Sequence, residues 1–117
     1  MNKLILNYRS FCFSLLVVSL CRQLRNEKKE YVLSDQLLRS ATAVGAIIRE
    51  AEYDQSGADF IRNMNIALKA ANETEYWLDL LKDSGFLDYE KHHVLTNALN
   101  EIVRMLISTI IVAKESQ

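Results

Sequence analysis

The chain has 117 residues, of which half are hydrophobic and a quarter are charged, as in one globular domain. This composition excludes a disordered chain, and the length excludes two domains of ordinary size. A net charge of −1 argues against a strongly basic nucleic-acid-binding domain. The chain has no proline and three glycines, so it has few turn-forming residues, which favours long helices over a sheet.

The first predicted helix covers residues 8–26, and residues 1–7 are predicted to be a loose N-terminal extension of a single domain, 1–117. Apolar residues spaced by four and three positions form its inner face: Phe13, Val17, Leu20 and Leu24. The second helix is predicted over residues 34–54, with Ser34 as its N-cap. Its inner face follows the same periodicity: Leu37, Ala41, Val44, Ile48 and Ala51.

The third helix is predicted over residues 57–84, with Ser56 as its N-cap and Gly85 at its left-handed C-terminal position. Its apolar seam is Phe60, Met64, Ala67, Ala71, Thr74, Leu78 and Leu81. The fourth helix is predicted over residues 88–115, starting at Asp88. Its seam is Leu95, Leu99, Ile102, Leu106, Thr109 and Ala113. Short connections between long helices predict an all-α, antiparallel, up-down-up-down four-helix bundle.

The first and fourth helices carry more apolar residues than one inner face requires. The surplus residues are Leu15, Leu16, Val18, Cys21, Val103, Ile107, Ile110 and Ile111. A second apolar face on a bundle helix favours self-association, although a broad core stripe with a few exposed residues is the alternative. The predicted homo-oligomer interface is Phe11, Leu16, Val103, Ile107 and Ile111.

The apolar stretch Phe11–Cys21 also raises the question of a membrane anchor. It is shorter than the roughly 20 apolar residues that span a bilayer, and it lacks the small residues of a signal-peptide cleavage site. We therefore predict a cytoplasmic protein without membrane association. Cys12 and Cys21 are then reduced thiols, and their spacing on one helix prevents a bond between them.

The sequence offers no pattern typical of catalysis, and we predict no catalytic, cofactor-binding or metal-binding residues. His92 and His93 point about 100° apart on a helix, so they do not share one ion easily. The Glu-x-x-His pattern of di-iron bundles does not occur on two helices. An enzyme or metalloprotein that uses Glu50, Glu73 and Glu75 remains a third hypothesis.

Nucleic-acid binding is the alternative function. The predicted topology gathers seven basic residues at one pole of the bundle, together with seven acidic ones. An oligomer could arrange some of the basic residues as a ring that contacts the phosphates of RNA or DNA. The candidates are Arg22, Arg25, Lys28, Lys29 and Arg39.

The run Tyr31-Val32-Leu33-Ser34-Asp35-Gln36-Leu37-Leu38-Arg39-Ser40-Ala41-Thr42 and the later Ile48-Arg49-Glu50-Ala51 resemble the bacterial four helix bundle proteins. These are also called 23S rRNA-intervening sequence proteins. The resemblance continues through Asp59-Phe60, Ile66-Ala67-Leu68 and Asn72-Glu73-Thr74-Glu75-Tyr76-Trp77-Leu78, and it covers residues 10–112.

The resemblance implies a short cytoplasmic bundle whose molecular role is unassigned. It also implies a pentamer, because a related branch, the accessory proteins of diversity-generating retroelements, forms barrel-shaped pentamers that bind nucleic acid. That branch is strongly basic and this chain is not. Apolar Ala43, Ile47, Leu16 and Cys21 stand where the family commonly has polar residues. The function predicted is a non-enzymatic, homo-oligomeric interaction protein.

Overall fold

The computed structural model describes residues 3–116 of the chain, and every element in them is a helix. The four helices are α1 (Lys3–Glu27), α2 (Val32–Ala51), α3 (Gly57–Asp83) and α4 (Tyr89–Glu115). Connections of four or five residues join them, so consecutive helices run antiparallel. Each helix packs against two neighbours in the cyclic order α1, α2, α3, α4. The predicted all-α four-helix bundle is confirmed.

The N-terminal boundary of α1 differs from the prediction. The helix begins at Lys3, five residues before Tyr8, and Leu6 is fully buried. Leu6 lies seven residues before Phe13, or two turns, so it extends the inner face of α1 toward the N-terminus. Residues 3–7 are therefore helical and the loose extension is wrong for them. Met1 and Asn2 lie outside the described residues.

The start of α2 is capped by a side chain from outside the helix. The Glu30 carboxylate accepts hydrogen bonds from the backbone N–H groups of Val32, Leu33 and Ser34, at 3.1, 2.9 and 2.7 Å. Ser34 is buried inside the helix, where its hydroxyl donates to the Glu30 carbonyl oxygen. The prediction of Ser34 as N-cap is wrong because Glu30 already satisfies the free N–H groups.

The helix-end signals predicted at Ser56, Gly85 and Asp88 agree with the structure, whereas α2 ends at Ala51, three residues before the predicted residue 54. The Ser56 hydroxyl accepts a hydrogen bond from the third backbone N–H after it, and the Asp88 carboxylate does the same at the start of α4. Gly85 has a φ of 87°, and the Phe86 N–H donates to the Leu81 carbonyl oxygen at 2.9 Å. Together with the Gly85 N–H, which donates to the Lys82 carbonyl oxygen at 3.1 Å, this bond forms the Schellman ending expected after α3.

The core contains the predicted seams with three adjustments. Ile110 and Cys21, which the sequence places among the surplus residues, are buried, whereas Phe60 is only partly buried. Thr109 and Ala113 are half-buried at the edge of the core. Between α2 and α3 the buried Thr74 hydroxyl donates to Ser40 Oγ at 2.9 Å, which satisfies both polar groups inside the apolar interior.

Candidate functional site

Five apolar residues follow a four-three-four-three spacing along the side of α1 that faces away from the core. They are Leu4, Tyr8, Phe11, Leu15 and Val18, and we call them the outer seam. Leu15 follows the buried Phe13 by two residues, or about 200° around the helix. Leu4 is 80%, Tyr8 69% and Leu15 55% exposed to solvent. The outer seam is thus a contiguous apolar surface, of the kind that marks a binding site.

The charges on α1 are unevenly distributed. Before Glu27 its only charged residues are Lys3, Arg9, Arg22 and Arg25, and the twelve residues between Arg9 and Arg22 carry no charge. Arg9 forms an ion pair with Glu101 of α4. Arg22 follows Val18 by four residues and ends the outer seam with a charge. Covering the seam therefore desolvates few charged groups of α1, and the Arg49 guanidinium of α2, which lies over the Phe11 ring, is the charge nearest to it from a neighbouring helix.

A groove runs between α1 and α4, which are the most loosely packed pair of neighbouring helices. Two cavities of about 360 Å³ each lie along it, and Leu16 lines both. Cys12 is half-buried in the groove, and its thiol raises the pKa of Tyr8 through a hydrogen bond. The predicted interface residue Leu16 therefore lies between the two helices and beside the outer seam.

The predicted interface residues on α4 form a separate surface. Val103, Ile107 and Ile111, which we call the α4 ridge, are spaced by four residues, so the ridge turns from the core toward solvent. Val103 follows His92 by eleven residues, about three turns, and the His92 ring is 2.8 Å from the Asp79 carboxylate of α3. The ridge thus lies on the α3 side of α4, away from α1.

The five predicted interface residues therefore do not form one surface: Phe11 belongs to the outer seam, Leu16 lines the α1/α4 groove, and the other three form the α4 ridge. Phe11 lies on the α2 side of the outer seam, where the Arg49 guanidinium is 5.4 Å from the centre of its ring. Leu4 is absent from the prediction because the predicted helix begins only at Tyr8. The signal that reveals it is the four-three spacing of the seam, which continues back from Phe11 through Tyr8 to Leu4.

The basic pole is largely occupied by internal interactions. Arg25 pairs with Asp35 at 2.8 Å, Arg39 pairs with Glu73, and Lys29 Nζ donates to the Asn26 carbonyl oxygen. Within residues 3–116, Arg22 and Lys28 form no ion pair. The N-terminus of α2 binds the Glu30 carboxylate, so its N–H groups are not open to a phosphate. Lys29 forms no ion pair either, so three of the five predicted ring residues, Arg22, Lys28 and Lys29, carry an unpaired charge in the described part of the chain.

The carboxylates considered for metal chemistry serve structural contacts or face solvent. Glu73 accepts a hydrogen bond from Trp77 Nε1 at 2.9 Å and pairs with Arg39. These two interactions lower the pKa of Glu73, the Trp77 hydrogen bond more strongly. Glu50 and Glu75 are exposed. In the described part of the chain, no three histidine, cysteine or acidic residues are grouped so that they could hold a metal ion.

Both α1 and α4 contain an 18-residue stretch that is long and apolar enough to cross a membrane, judged by length and composition. One third of each stretch is buried inside the bundle. The apolar part of α1 is thus longer than Phe11–Cys21, because the helix continues back to Lys3. Core helices of soluble proteins and N-terminal signal sequences have the same composition, so this similarity alone assigns neither helix to a bilayer.

Comparison with protein families decides the relationship suggested by the motifs. The model of a family described as 23S rRNA-intervening sequence protein matches residues 2–108. The chain belongs to this family. Membership confirms the resemblance seen in the sequence, and nearly the whole chain contributes to the match. The family name is compatible with the unassigned molecular role and adds no activity.

A solved structure supports the same assignment. It is a protein of unknown function from the S23 ribosomal protein family of Bacteroides thetaiotaomicron, 48% identical in sequence. Its superposition gives a TM-score of 0.92 and covers 94% of this chain and 98% of that one. None of the curated proteins compared with the chain matches it. The bundle is therefore a family fold, and its function has to be argued from its surfaces.

Proposed function

We propose that the protein is a non-enzymatic binding protein that assembles with copies of itself. One observation carries the proposal: the outer seam of α1 exposes apolar side chains over about four turns, opposite a complete core. Neither a cofactor nor a catalytic group takes part in the proposed function. The assembly is a pentamer by resemblance to the related accessory proteins, and the proposed compartment is the cytoplasm.

The physical argument rests on the spacing of the outer seam. Apolar side chains that alternate by four and three residues pack best against another helix, where each enters a gap between four side chains. Burial of a continuous row of exposed apolar side chains lowers the free energy by about 25 cal/mol for each Å² of apolar surface that leaves water. A second copy of the chain is always available at its own concentration, so self-association is the simplest way to cover the seam.

The native mass of the particle tests this proposal. We expect a wild-type assembly at micromolar concentration and a monomer for Leu15→Glu, because the introduced carboxylate would have to be buried without a partner. Ile66→Glu on α3 is the control, since it places the same charge at an exposed apolar position outside the outer seam and the α4 ridge. Light scattering after size-exclusion chromatography measures all three masses.

A stable wild-type monomer at tens of micromolar would refute the proposal. Loss of the assembly in Ile66→Glu as well would show a general effect of surface charge and would also count against it. Both replaced side chains are on the surface, so both variants should fold. The helical circular dichroism signal of each variant checks that a change in mass does not come from unfolding.

The second candidate function is nucleic-acid binding through the basic pole. Its support is three residues that are exposed and carry no counter-charge in the described residues: Arg22, Lys28 and Lys29. In an assembly, these three residues of every copy would face one end. The expectation is RNA or DNA binding at low salt that weakens steeply as salt is added, because phosphate contacts release counterions. Absence of binding at low salt would exclude it.

A further inference from the structure

We propose that a cavity at one pole of the bundle binds a small organic anion, that is, an apolar molecule with one carboxylate or phosphate group. The cavity has a volume of about 390 Å³. It lies between residues 20–28 at the end of α1, residues 85–88 of the α3–α4 connection, and Lys91 of α4, and we call it the pole cavity. The site is separate from the outer seam, and its occupation does not depend on self-association.

The local backbone at the end of α3 leaves one wall of the pole cavity without side chains. The N–H groups of Phe86 and Leu87 both donate to the Leu81 carbonyl oxygen, at 2.9 and 3.2 Å. This turn requires the positive φ of 87° at Gly85, and a Cβ built at Gly85 would meet nothing within 4 Å. The wall at Gly85 is therefore bare backbone beside open space, and a ligand can approach it closely.

The floor of the pole cavity is the end of the hydrophobic core. Leu20, Leu24 and Leu87 are buried core residues that line it, and the partly buried Phe86 packs against the same core. Sites that hold small molecules have volumes of about 300–1,000 Å³ and mainly apolar walls with a few polar groups. The pole cavity has this size and this kind of lining, so it suits a ligand with an apolar body.

The basic residues of the pole cavity determine the sign of the charge that it accepts. Within residues 3–116, Lys28 and Lys91 are the basic residues that line it, and neither forms an ion pair. Lys91 Nζ donates instead to Gln23 Oε1 at 2.8 Å, so a neutral amide holds this ammonium group beside the cavity. Two ammonium groups next to an apolar wall attract an anion and repel a cation.

Asp88 is the acidic residue that lines the pole cavity in the described part of the chain, and its charge is already engaged. Its carboxylate accepts a hydrogen bond from the Lys91 backbone N–H at 2.8 Å and so caps α4. At this position the positive end of the helix dipole offsets about half of a negative charge. The pole cavity therefore keeps an excess of positive charge that one carboxylate or phosphate group can balance.

Both halves of the lining are used only by a molecule that combines an apolar body with an anionic group. An inorganic anion would leave the apolar floor in contact with water, and an uncharged apolar molecule would leave both lysines without a partner. The site also differs from the surface considered for nucleic acid, because Arg22 and Lys29 do not line the pole cavity and only Lys28 belongs to both.

Isothermal titration calorimetry with octanoate, in a buffer without phosphate, tests the proposal. We expect one octanoate to bind per chain with a dissociation constant of about 0.1–1 mM, as for a ligand of about ten non-hydrogen atoms. Octanol has the same chain without the charge, and octylammonium has the opposite charge. Both should bind at least about fivefold more weakly. Octyl phosphate is compared with octanoate, and the tighter of the two identifies the head group that the site prefers.

Lysine variants locate the binding site. Lys28→Met and Lys91→Met each keep an unbranched side chain but remove the ammonium group, so octanoate should bind at least about threefold more weakly and octanol should be unaffected. Lys29→Met is the matched control, because Lys29 is the neighbouring unpaired lysine and does not line the pole cavity. It should keep the wild-type dissociation constant.

Gln23→Trp blocks the pole cavity with a large ring and should abolish the binding of octanoate and octanol alike. Circular dichroism checks that each variant is folded. If Gln23→Trp is not folded, the two lysine variants decide, because Lys28 and Lys91 are exposed and their replacement leaves the core intact.

Four results would overturn the proposal. The first is the absence of octanoate binding up to about 10 mM, well above the expected range. The second is octanol binding as tight as that of octanoate, which would show an apolar surface without charge recognition. The third is an equal loss in Lys29→Met and Lys28→Met, which would show a general effect of surface charge. The fourth is unchanged octanoate binding in folded Gln23→Trp, which would place the anion elsewhere on the bundle.

Discussion

The two faces of α1 have similar residues and similar spacing but different surroundings. The inner face of α1 buries a row of apolar residues between α2 and α4: Leu6, Phe13, Val17, Leu20 and Leu24. The outer seam presents Leu4, Tyr8, Phe11 and Leu15 to solvent, and its last residue, Val18, is half-buried. Helical periodicity identifies both rows as surfaces that need a partner, and only the remaining helices decide which row finds one inside the chain. The comparison therefore separates residues that fold the bundle from residues available for binding.

The largest expected difference between the two faces concerns two phenylalanines, Phe13 and Phe11. Phe13→Ala should lower the free energy of unfolding by about 3–5 kcal/mol, because it removes a fully buried ring and leaves a cavity. Phe11→Ala should cost less than about 1 kcal/mol in the monomer, since half of the ring is already in water. Urea denaturation measures both changes in the free energy of unfolding. The Leu15→Glu background is used so that dissociation of an assembly does not contribute to them.

The Leu15→Glu variant with both phenylalanines intact is the reference for both measurements. Equal costs for Phe11→Ala and Phe13→Ala would show that the outer seam stabilises the isolated bundle as much as the inner face does. That result would remove the distinction on which the binding proposal depends.

The second difference concerns the two cysteines of α1. Cys21 is buried, its thiol donates to the Ser34 carbonyl oxygen at 3.3 Å, and burial raises the pKa of Cys21 to about 11. Cys12 is half-buried in the α1/α4 groove beside the outer seam. We expect iodoacetamide to modify Cys21 at least about 100-fold more slowly than Cys12 in Leu15→Glu, because Cys21 reacts only after the bundle opens.

Cys12 also reports on the assembly. Its modification should be faster in Leu15→Glu than in the wild type, since the proposed contact covers the surface beside the groove. Mass spectrometry of the modified chain follows both sites, and Cys12→Ser assigns the signals. Equal rates for Cys12 in the two proteins would mean that this side of α1 stays uncovered.

Most of the fold is predictable from the sequence because each helix carries its own periodic seam and most ends carry local signals. Ser56, Gly85 and Asp88 act through their own backbone neighbourhood, so residue type and position suffice. The start of α2 was predicted wrongly since Glu30 caps it from outside the helix, and Ser34 offers an equally good local signal. Where two residues could cap a helix equally well, the path of the connecting segment determines which of them reaches the free N–H groups.

The candidate site was predictable only in part. The surplus of apolar residues on α1 and α4 follows from composition. The sequence does not show which of these apolar residues are buried, as Cys21 and Ile110 are, and which are exposed, as Leu15 and Ile107 are. Their burial depends on the rotation of each helix about its own axis, which packing against two neighbours sets. The predicted interface therefore combined residues of the outer seam, the α1/α4 groove and the α4 ridge into one surface.

A smaller effect is expected on the third side of α1, where it meets α2. A Cβ added at Gly45 would lie 3.4 Å from Ser14 Oγ and 3.5 Å from the Ser10 carbonyl oxygen, which is ordinary contact. Gly45→Ala should therefore stabilise the bundle by about 0.5–1 kcal/mol through helix propensity. Thermal unfolding measures it, with Ala46→Gly, the reverse change at the exposed neighbouring position, as the control.

A loss of stability in Gly45→Ala would mean that α1 and α2 need a closer approach than these distances show. Unchanged mass together with the gain would place the α1/α2 side outside the contact between copies.

The smallest expected effect concerns Arg22, the residue with which the outer seam ends. Arg22→Leu continues the spacing of Val18 by one more apolar position, so the proposed contact of the outer seam with another copy should become tighter, by less than about tenfold in dissociation constant. The same change removes one of the three predicted ring residues that form no ion pair within residues 3–116. If the protein binds RNA through that pole, the slope of log affinity against log salt should become shallower by about 0.7–0.9 per copy in contact.

Lys28→Ala is the control for Arg22→Leu, because it removes a positive charge at the same pole without extending the seam. Analytical ultracentrifugation measures the assembly, and fluorescence anisotropy with a labelled RNA measures nucleic-acid binding. Dissociation of the assembly by Arg22→Leu but not by Lys28→Ala would assign Arg22 to the contact as a charge-pairing residue and would contradict an apolar seam that ends at Val18. A tighter assembly with unchanged RNA binding would separate the two functions. It would show that residue 22 contributes to self-association along the outer seam and not to RNA binding at the basic pole.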